Sequence, residues 1–256
     1  VLTETQVAAI DDIAASLRNV QRILFVTGAG MSADSGLPTY RGIGGLYDGT
    51  LTEDGIAIED ALSGTMMARA PRVTWKYLLQ IEQACRGARY NRGHEVVAAL
   101  EDRREVWVLT QNIDGFHRAA GSRNLIEIHG DLYDLRCVRC EHQVRVESFQ
   151  DMEVPPVCSR CGASCRPDVV LFGEMLPTRA VDRLMEELGR GFDAVFSVGT
   201  SSVFPYIAAP MAMAAELGWL SVEINPVKTR VSPLATHRIR AGAAESLDAL
   251  WSRTSR

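Results

Sequence analysis

Apolar positions in the first part of the chain follow two rhythms. Over residues 6–17, Val7, Ile10, Ile13, Ala14 and Leu17 recur on one helical face, and the uninterrupted run Ile23-Leu24-Phe25-Val26 follows. The first spacing predicts an amphipathic helix, the second a strand buried on both faces. Similar short apolar runs, bounded by turn residues, stand at Val106-Trp107-Val108-Leu109, Leu125-Ile126-Glu127-Ile128, Val169-Val170-Leu171, Ala194-Val195-Phe196-Ser197-Val198 and Leu220-Ser221-Val222-Glu223-Ile224. Each reads as a central strand. Helix-patterned stretches cover residues 73–85, 94–102, 179–188 and 207–217. Strands alternating with helices predict an α/β fold, a Rossmann-like doubly wound parallel sheet that binds ligands beyond the carboxyl ends of its strands.

Two regions break the alternation. Residues 35–70 are rich in glycine and short apolar pieces, and residues 131–168 hold all but one of the six cysteines. The expected division is therefore a Rossmann-like domain from residues 1–41, 91–130 and 169–256, a helical insertion at 42–90 and a small zinc-binding module at 131–168.

Composition narrows the function classes. A chain of 256 residues with 46% hydrophobic content can bury a sizeable core. Its net charge of -5, with both signs interspersed, gives no basic footprint for nucleic acid and no polybasic run for an anionic membrane. Glu4, Asp11 and Asp12 interrupt the start of the chain, unlike a signal or transit peptide. No segment approaches the roughly 20 apolar residues of a membrane span. The expected compartment is the cytoplasm.

The cysteine pairs Cys137-x-x-Cys140 and Cys158-x-x-Cys161 have the spacing of a tetrahedral four-sulfur zinc site. Four thiolates close the coordination sphere, so such a metal is structural. Disulfides are the alternative. Cys165 and His142 lie nearby without improving on the two regular pairs, and Cys85 falls on a helix face.

The string Val26-Thr27-Gly28-Ala29-Gly30-Met31-Ser32-Ala33 follows the first strand and fits a variant dinucleotide fingerprint. Glycines there let backbone approach a pyrophosphate, although a plain tight turn uses them equally well. An ordinary dehydrogenase would continue as one helix. Here Ser35-Gly36-Leu37-Pro38 stops the helix, and Tyr40-Arg41-Gly42 with Gly44-Gly45 follows, so the loop is expected to fold over the cofactor with Arg41 available for a phosphate.

Together with these residues, Thr110-Gln111-Asn112-Ile113-Asp114-Gly115-Phe116-His117, Ile128-His129-Gly130, Phe172-Gly173-Glu174, Gly199-Thr200-Ser201 and Ile224-Asn225-Pro226 resemble, in order, the motifs of the sirtuins, NAD-dependent protein-lysine deacylases. The likeness runs from about Ile23 to Leu250 and implies two bound groups, NAD and zinc, and acyl-lysine proteins as partners. It implies that Gly28, Ala29, Gly30, Ser32, Tyr40, Arg41, Gln111, Gly199, Thr200, Ser201 and Asn225 hold NAD, with Ala244 meeting adenine through its backbone. Asn112 and Asp114 would hold the nicotinamide side, though both also suit a helix start. His129 would be the general base, at a strand end where Gly130 lets a ligand approach; His94, His117, His142 and His237 are the competing histidines. Val170, Leu171, Phe172, Gly173 and Glu174 would pair with a substrate peptide and line the acyl tunnel, or simply belong to the core.

The chain departs from the family's pattern at Tyr90, where proline is usual and would stiffen entry to the next helix. The subgroup that removes acidic acyl groups carries Tyr-x-x-Arg, whereas this chain offers Tyr77-Leu78-Leu79-Gln80, with Arg69, Arg72 and Arg86 as the remaining cations within reach. Leu62 stands where that subgroup has a small residue. Acetyl-lysine is the expected substrate. A mono-ADP-ribosyltransferase would use the same pocket with another nucleophile, and a non-catalytic NAD-binding zinc module would need no base.

Overall fold

The computed structural model describes residues 2–38 and 51–254. The helix α1 (Glu4–Ser16) opens with a capping box between Thr3 and Gln6 and leads into β1 (Arg22–Thr27). Three helices follow, α2 (Ile58–Ala61), α3 (Gly64–Arg69) and α4 (Pro71–Cys85), then α5 (Arg92–Leu100), β2 (Glu105–Thr110), α6 (Phe116–Ala119) and β3 (Leu125–Glu127). A cysteine-bearing excursion contributes β4 (Gly130–Cys137), β5 (Gln143–Arg145) and β6 (Cys165–Val169). The chain then returns through α7 (Thr178–Arg190), β7 (Ala194–Val198), α8 (Pro205–Leu217), β8 (Leu220–Ile224), β9 (His237–Ile239) and α9 (Ala243–Thr254).

The larger sheet is parallel, in the order β3-β2-β1-β7-β8-β9. From β1 the chain first winds outward through β2 and β3, then crosses to β7 and winds the other way. The β1/β7 junction is thus the topological switch point, where an α/β sheet opens a crevice. Alternation along β1 feeds two cores. Ile23 and Phe25 face α1, α5 and α9, while Leu24 and Val26 face α7 and α8; all four are fully buried. Phe25 stacks on Phe196 of β7 with ring centroids 4.9 Å apart. Each such side chain contributes roughly 1.5–3 kcal/mol of burial, so β1 anchors both layers.

The expected strand at Val169-Val170-Leu171 is corrected: Val169 ends β6, in a separate antiparallel sheet of order β5-β4-β6. A short apolar run signals burial but not the sheet that buries it. Gly130 starts β4 with φ 80°, and a Cβ there would lie 1.8 Å from the Asp168 carbonyl oxygen. Strand packing by itself already requires glycine at this position. At the entry to α5, just after Tyr90, Asn91 caps the helix: its side chain accepts from Gly93 N–H, and His94 Nδ1 accepts from Asn91 N–H.

The sulfur atoms of Cys137, Cys140, Cys158 and Cys161 all lie within 4.8 Å of one another, and no disulfide joins any cysteine. The Cys137–Cys161 and Cys140–Cys158 separations are 3.4 and 3.7 Å. Zn–S bonds of about 2.3 Å need ligand spacings of this size. Backbone N–H groups of Arg139 and Cys140 point at Cys137 Sγ, and that of Arg160 at Cys158 Sγ, which favours thiolates. These residues fit zinc. Cys165 packs beside them, but burial pushes its thiol up to about 11, so it stays protonated.

Among the competing histidines, His94 and His117 are core residues. Their rings meet edge to face at 4.8 Å, His117 Nε2 lies 3.0 Å from the Thr27 hydroxyl, and Phe116 covers His94. Burial lowers the His94 imidazole to about 4 and His117 in the same direction. Among the described residues, no helix is long and apolar enough to cross a membrane.

Two outcomes follow from this packing. Freshly purified protein carries one zinc per chain, and Cys158→Ser both lowers the metal content and lowers the melting temperature; a metal-free wild type with unchanged melting would refute the site. His94 is neutral when folded down to about pH 4, whereas the unfolded chain takes up a proton near 6.5. Stability therefore falls as pH drops through that window, by roughly 2 kcal/mol between pH 7 and 5. Denaturant titrations show this slope flattened in His94→Gln; equal slopes in the two proteins would contradict it.

Candidate active site

The crevice at the switch point is closed by backbone contact between two loops. Gly30 N–H donates to the Gly199 carbonyl at 2.8 Å, and Gly28 N–H to that of Val198 at 3.1 Å. A Cβ on Gly30 would lie 2.7 Å from Gly199 Cα, and one on Gly28 2.8 Å from Thr200 Cβ. Gly199 itself has φ 60° and sits against Gly30 and Met31. The fingerprint glycines thus serve loop-to-loop contact first. Buried Ser202 holds φ 52° just beyond, its N–H bound to Thr200 Oγ1 at 3.1 Å. A non-glycine residue in that region costs about 1–2 kcal/mol, and the tight loop imposes it.

The first loop is tied down on its other side. Asn91 Nδ2 donates to Met31 O and Ser35 Oγ, and Asp34 accepts the Ala244 N–H at 2.9 Å at the start of α9. A carboxylate suits a helix N-terminus. The sequence analysis singled out neither Asn91 nor Asp34, whose partners lie far away in the chain. Ala244's amide, expected near adenine, is committed to Asp34.

Asn112 and Asp114 follow β2. Asn112 Nδ2 donates to Gly28 O at 3.0 Å and lies 3.2 Å from Ser32 Oγ. Asp114 Oδ2 accepts from Ser32 Oγ at 2.7 Å, and Oδ1 from Phe116 N–H at 3.0 Å. Asp114 therefore both holds the first N–H of α6 and walls the pocket. Burial raises its carboxyl, against the lowering effect of those two hydrogen bonds. The two side chains line a small cavity with Ala29, Ser32, Leu37 and Ile81.

His129 lies half-buried past β3. Its Nδ1 is 3.1 Å from the Gln111 carbonyl, and its Nε2 is 2.7 Å from the Tyr206 hydroxyl. Burial lowers its pKa, partly offset by the Gln111 contact, so the imidazole is neutral at neutral pH. Gln111 Nε2 in turn donates to Thr200 Oγ1 at 2.7 Å. A continuous chain runs from the second loop through Gln111 to His129. Asn225 Nδ2 donates to Thr200 O at 3.2 Å, whereas Ser201 is exposed. Tyr40 and Arg41 lie outside the described residues.

The Val170-to-Glu174 segment is partly committed elsewhere. Val170 N–H donates to His129 O, Phe172 N–H to Leu62 O, and Phe172 O accepts from Gly64 N–H. Leu171 is buried in the core around Trp75. Gly173 has φ 79° and is exposed. Glu174 faces Arg166: burial would raise its carboxyl, but the Arg166 guanidinium and Leu171 N–H outweigh that and hold it below the usual range. Arg86 pairs with buried Glu82, the Tyr77 hydroxyl donates to Asp54, and Arg69 and Arg72 are exposed. Among the described residues, no arginine lines the cavity.

Comparison with known proteins identifies the family. The Sir2 family model matches residues 28–205. A Pseudomonas aeruginosa protein named NAD-dependent protein deacylase 2 is 52% identical over 227 residues, which are 87% of this chain and 88% of that protein. NAD-dependent protein deacylase 1 of Archaeoglobus fulgidus is 37% identical over 229 residues, 89% of this chain and 91% of that one. A solved complex of a Sir2 homolog with NAD superposes with TM-score 0.85 at 34% identity, covering 96% of this chain and 93% of the other. A Sir2 complex with a deacetylated p53 peptide and 3′-O-acetyl ADP ribose gives 0.83 at 26% identity, covering 95% and 97%. Matched by the family model over most of its length and by relatives well above 30% identity, this chain belongs to the Sir2 family.

Proposed function

We propose that this protein is an NAD-dependent protein-lysine deacylase, with NAD consumed as a substrate. The observation that carries the reading is a neutral imidazole, His129, fixed by Gln111 at the mouth of the switch-point crevice and linked to the loop that closes it. Family membership supplies the reaction class.

In this reading Gly28, Ala29, Gly30 and Ser32, with Tyr40 and Arg41 beyond them, hold the phosphates and the nicotinamide ribose. Asn112 and Asp114 meet the nicotinamide side in the small cavity, and Gln111, Gly199, Thr200, Ser201 and Asn225 hold the adenosine half and the ribose. The acyl oxygen attacks the ribose carbon and nicotinamide leaves. His129 then takes a proton from a ribose hydroxyl, whose oxygen adds to the imidate carbon; water completes release of lysine and O-acyl-ADP-ribose. Leu171 and Phe172 line the acyl channel, and exposed Gly173 offers backbone to the peptide, with Val170 and Glu174 holding that segment in place. Zinc at Cys137, Cys140, Cys158 and Cys161 acts only through the fold. Residues 131–168 form its module, 42–90 a helical insertion, and the remainder the NAD-binding domain.

Six cysteines without a disulfide among them support a reducing compartment, the cytoplasm. The charge of -5 supports a protein over a nucleic-acid substrate.

Mass spectrometry of products from NAD and an acetyl-lysine peptide yields nicotinamide, free lysine and O-acetyl-ADP-ribose; ADP-ribose attached to protein instead would favour the transferase. His129→Ala lowers product formation by about 10²-fold or more without loss of fold, and a fully active variant would remove His129 from the mechanism. With Gln80 standing where the acidic-acyl subgroup has the arginine of Tyr-x-x-Arg, turnover of acetyl-lysine exceeds that of succinyl-lysine peptide at least tenfold. The reverse order of rates would overturn that preference.

A further inference from the structure

Tyr206 was not singled out by the sequence, yet its hydroxyl occupies the one atom of His129 that the reaction needs. The Gln111 carbonyl can only accept, so His129 Nδ1 carries the ring proton and Nε2 presents its lone pair. At 2.7 Å the Tyr206 O–H donates into that lone pair. Nε2 has a single in-plane pair. A ribose hydroxyl therefore cannot donate to it directly while Tyr206 stays in place.

Several contacts keep Tyr206 there. It lies in the first turn of α8, immediately after Pro205, which fixes the backbone at the helix start. Its ring stacks on Phe204 with centroids 5.5 Å apart and planes 14° from parallel, and both rings meet the His129 imidazole edge to face at 6.0 Å. Ile207, the next residue, is fully buried and donates its N–H to Phe204 O at 3.0 Å. Moving the phenol away would break the stack and the hydrogen bond together.

We propose that Tyr206 is a proton relay between the ribose hydroxyl and His129, a catalytic residue additional to the base. This rests on the deacylase reading above. The ribose O–H proton passes to Tyr206 Oη as the phenol proton passes to Nε2. Two O–H bonds break, one O–H and one N–H form, and the ribose oxygen adds to the imidate carbon; the phenol ends neutral and the imidazole protonated. Burial pushes the Tyr206 phenol up to about 12, so it remains able to donate and accept at once throughout neutral pH.

The test uses the full-length protein and Tyr206→Phe, which keeps the ring stack and deletes only the hydroxyl. Nicotinamide departure precedes the relay and is reversible, so incorporation of labelled nicotinamide into NAD, with an acetyl-lysine peptide present, reports binding, folding and the first step. The expected result is exchange within about twofold of wild type, with O-acetyl-ADP-ribose formation lowered by about 10²-fold. Product formation at or above the wild-type rate would make Tyr206 a cap that the ribose displaces, and would overturn the relay. Equal loss of exchange and product would make it a wall of the pocket, with the same consequence. Wild-type protein that neither exchanges nicotinamide nor forms the product would instead refute the deacylase reading itself, and the relay with it.

Discussion

Everything at the site depends on backbone touching backbone where the β1 loop meets the β7 loop. The Gly30-to-Gly199 hydrogen bond and the space left by absent side chains let two parallel strand ends close into one wall. Thr200 is positioned by that wall, Gln111 by Thr200, and His129 by Gln111. A methyl group on either facing glycine would part the loops by several tenths of an ångström and be passed along the chain to the imidazole. The constraint is steric, so a polar or flexible substitute cannot relax it.

Burial then decides protonation. His94, His117 and His129 are all shifted downward by desolvation, but only His129 places a ring nitrogen against a hydroxyl at the crevice. The other two meet each other and Phe116 inside the protein. Asp114 shifts the opposite way for the same reason, because burial disfavours the charged form of acid and base alike. The outcome is a neutral base in the same site as a carboxyl whose charged form burial disfavours.

The cysteine-bearing sheet contributes rigidity at a distance. Asp131, buried beside Gly130, accepts from Tyr133 N–H and Arg145, while Leu132 N–H binds Ile113 O between Asn112 and Asp114. Together with Val170 N–H on His129 O, these bonds join the small sheet to both segments that carry the proposed chemistry. A metal with no open coordination position can thus influence the site by holding β4 and β6 in register.

Local pattern made much of this legible. Five of the six apolar runs became strands of the parallel sheet because continuous burial leaves an unmistakable trace, and the paired cysteines announced their cluster through spacing. Short elements such as β9, only His237–Ile239, left no comparable signal, and Val169 showed burial without naming its sheet. At the site, Asn112, Asp114 and His129 stood out as polar groups at strand ends. Ser32, Gln111 and Thr200 were legible only as cofactor contacts, not as partners of these groups, and Tyr206 not at all, because the pairs meet across long stretches of chain. Residue type and period follow from neighbours in sequence, whereas the tautomer of His129, the commitment of Ala244 and Phe172, and the capture of Nε2 by Tyr206 depend on which distant atoms come within 3 Å. Only the folded chain brings those atoms together, since hydrogen bonds of that length act between groups that the sequence holds far apart.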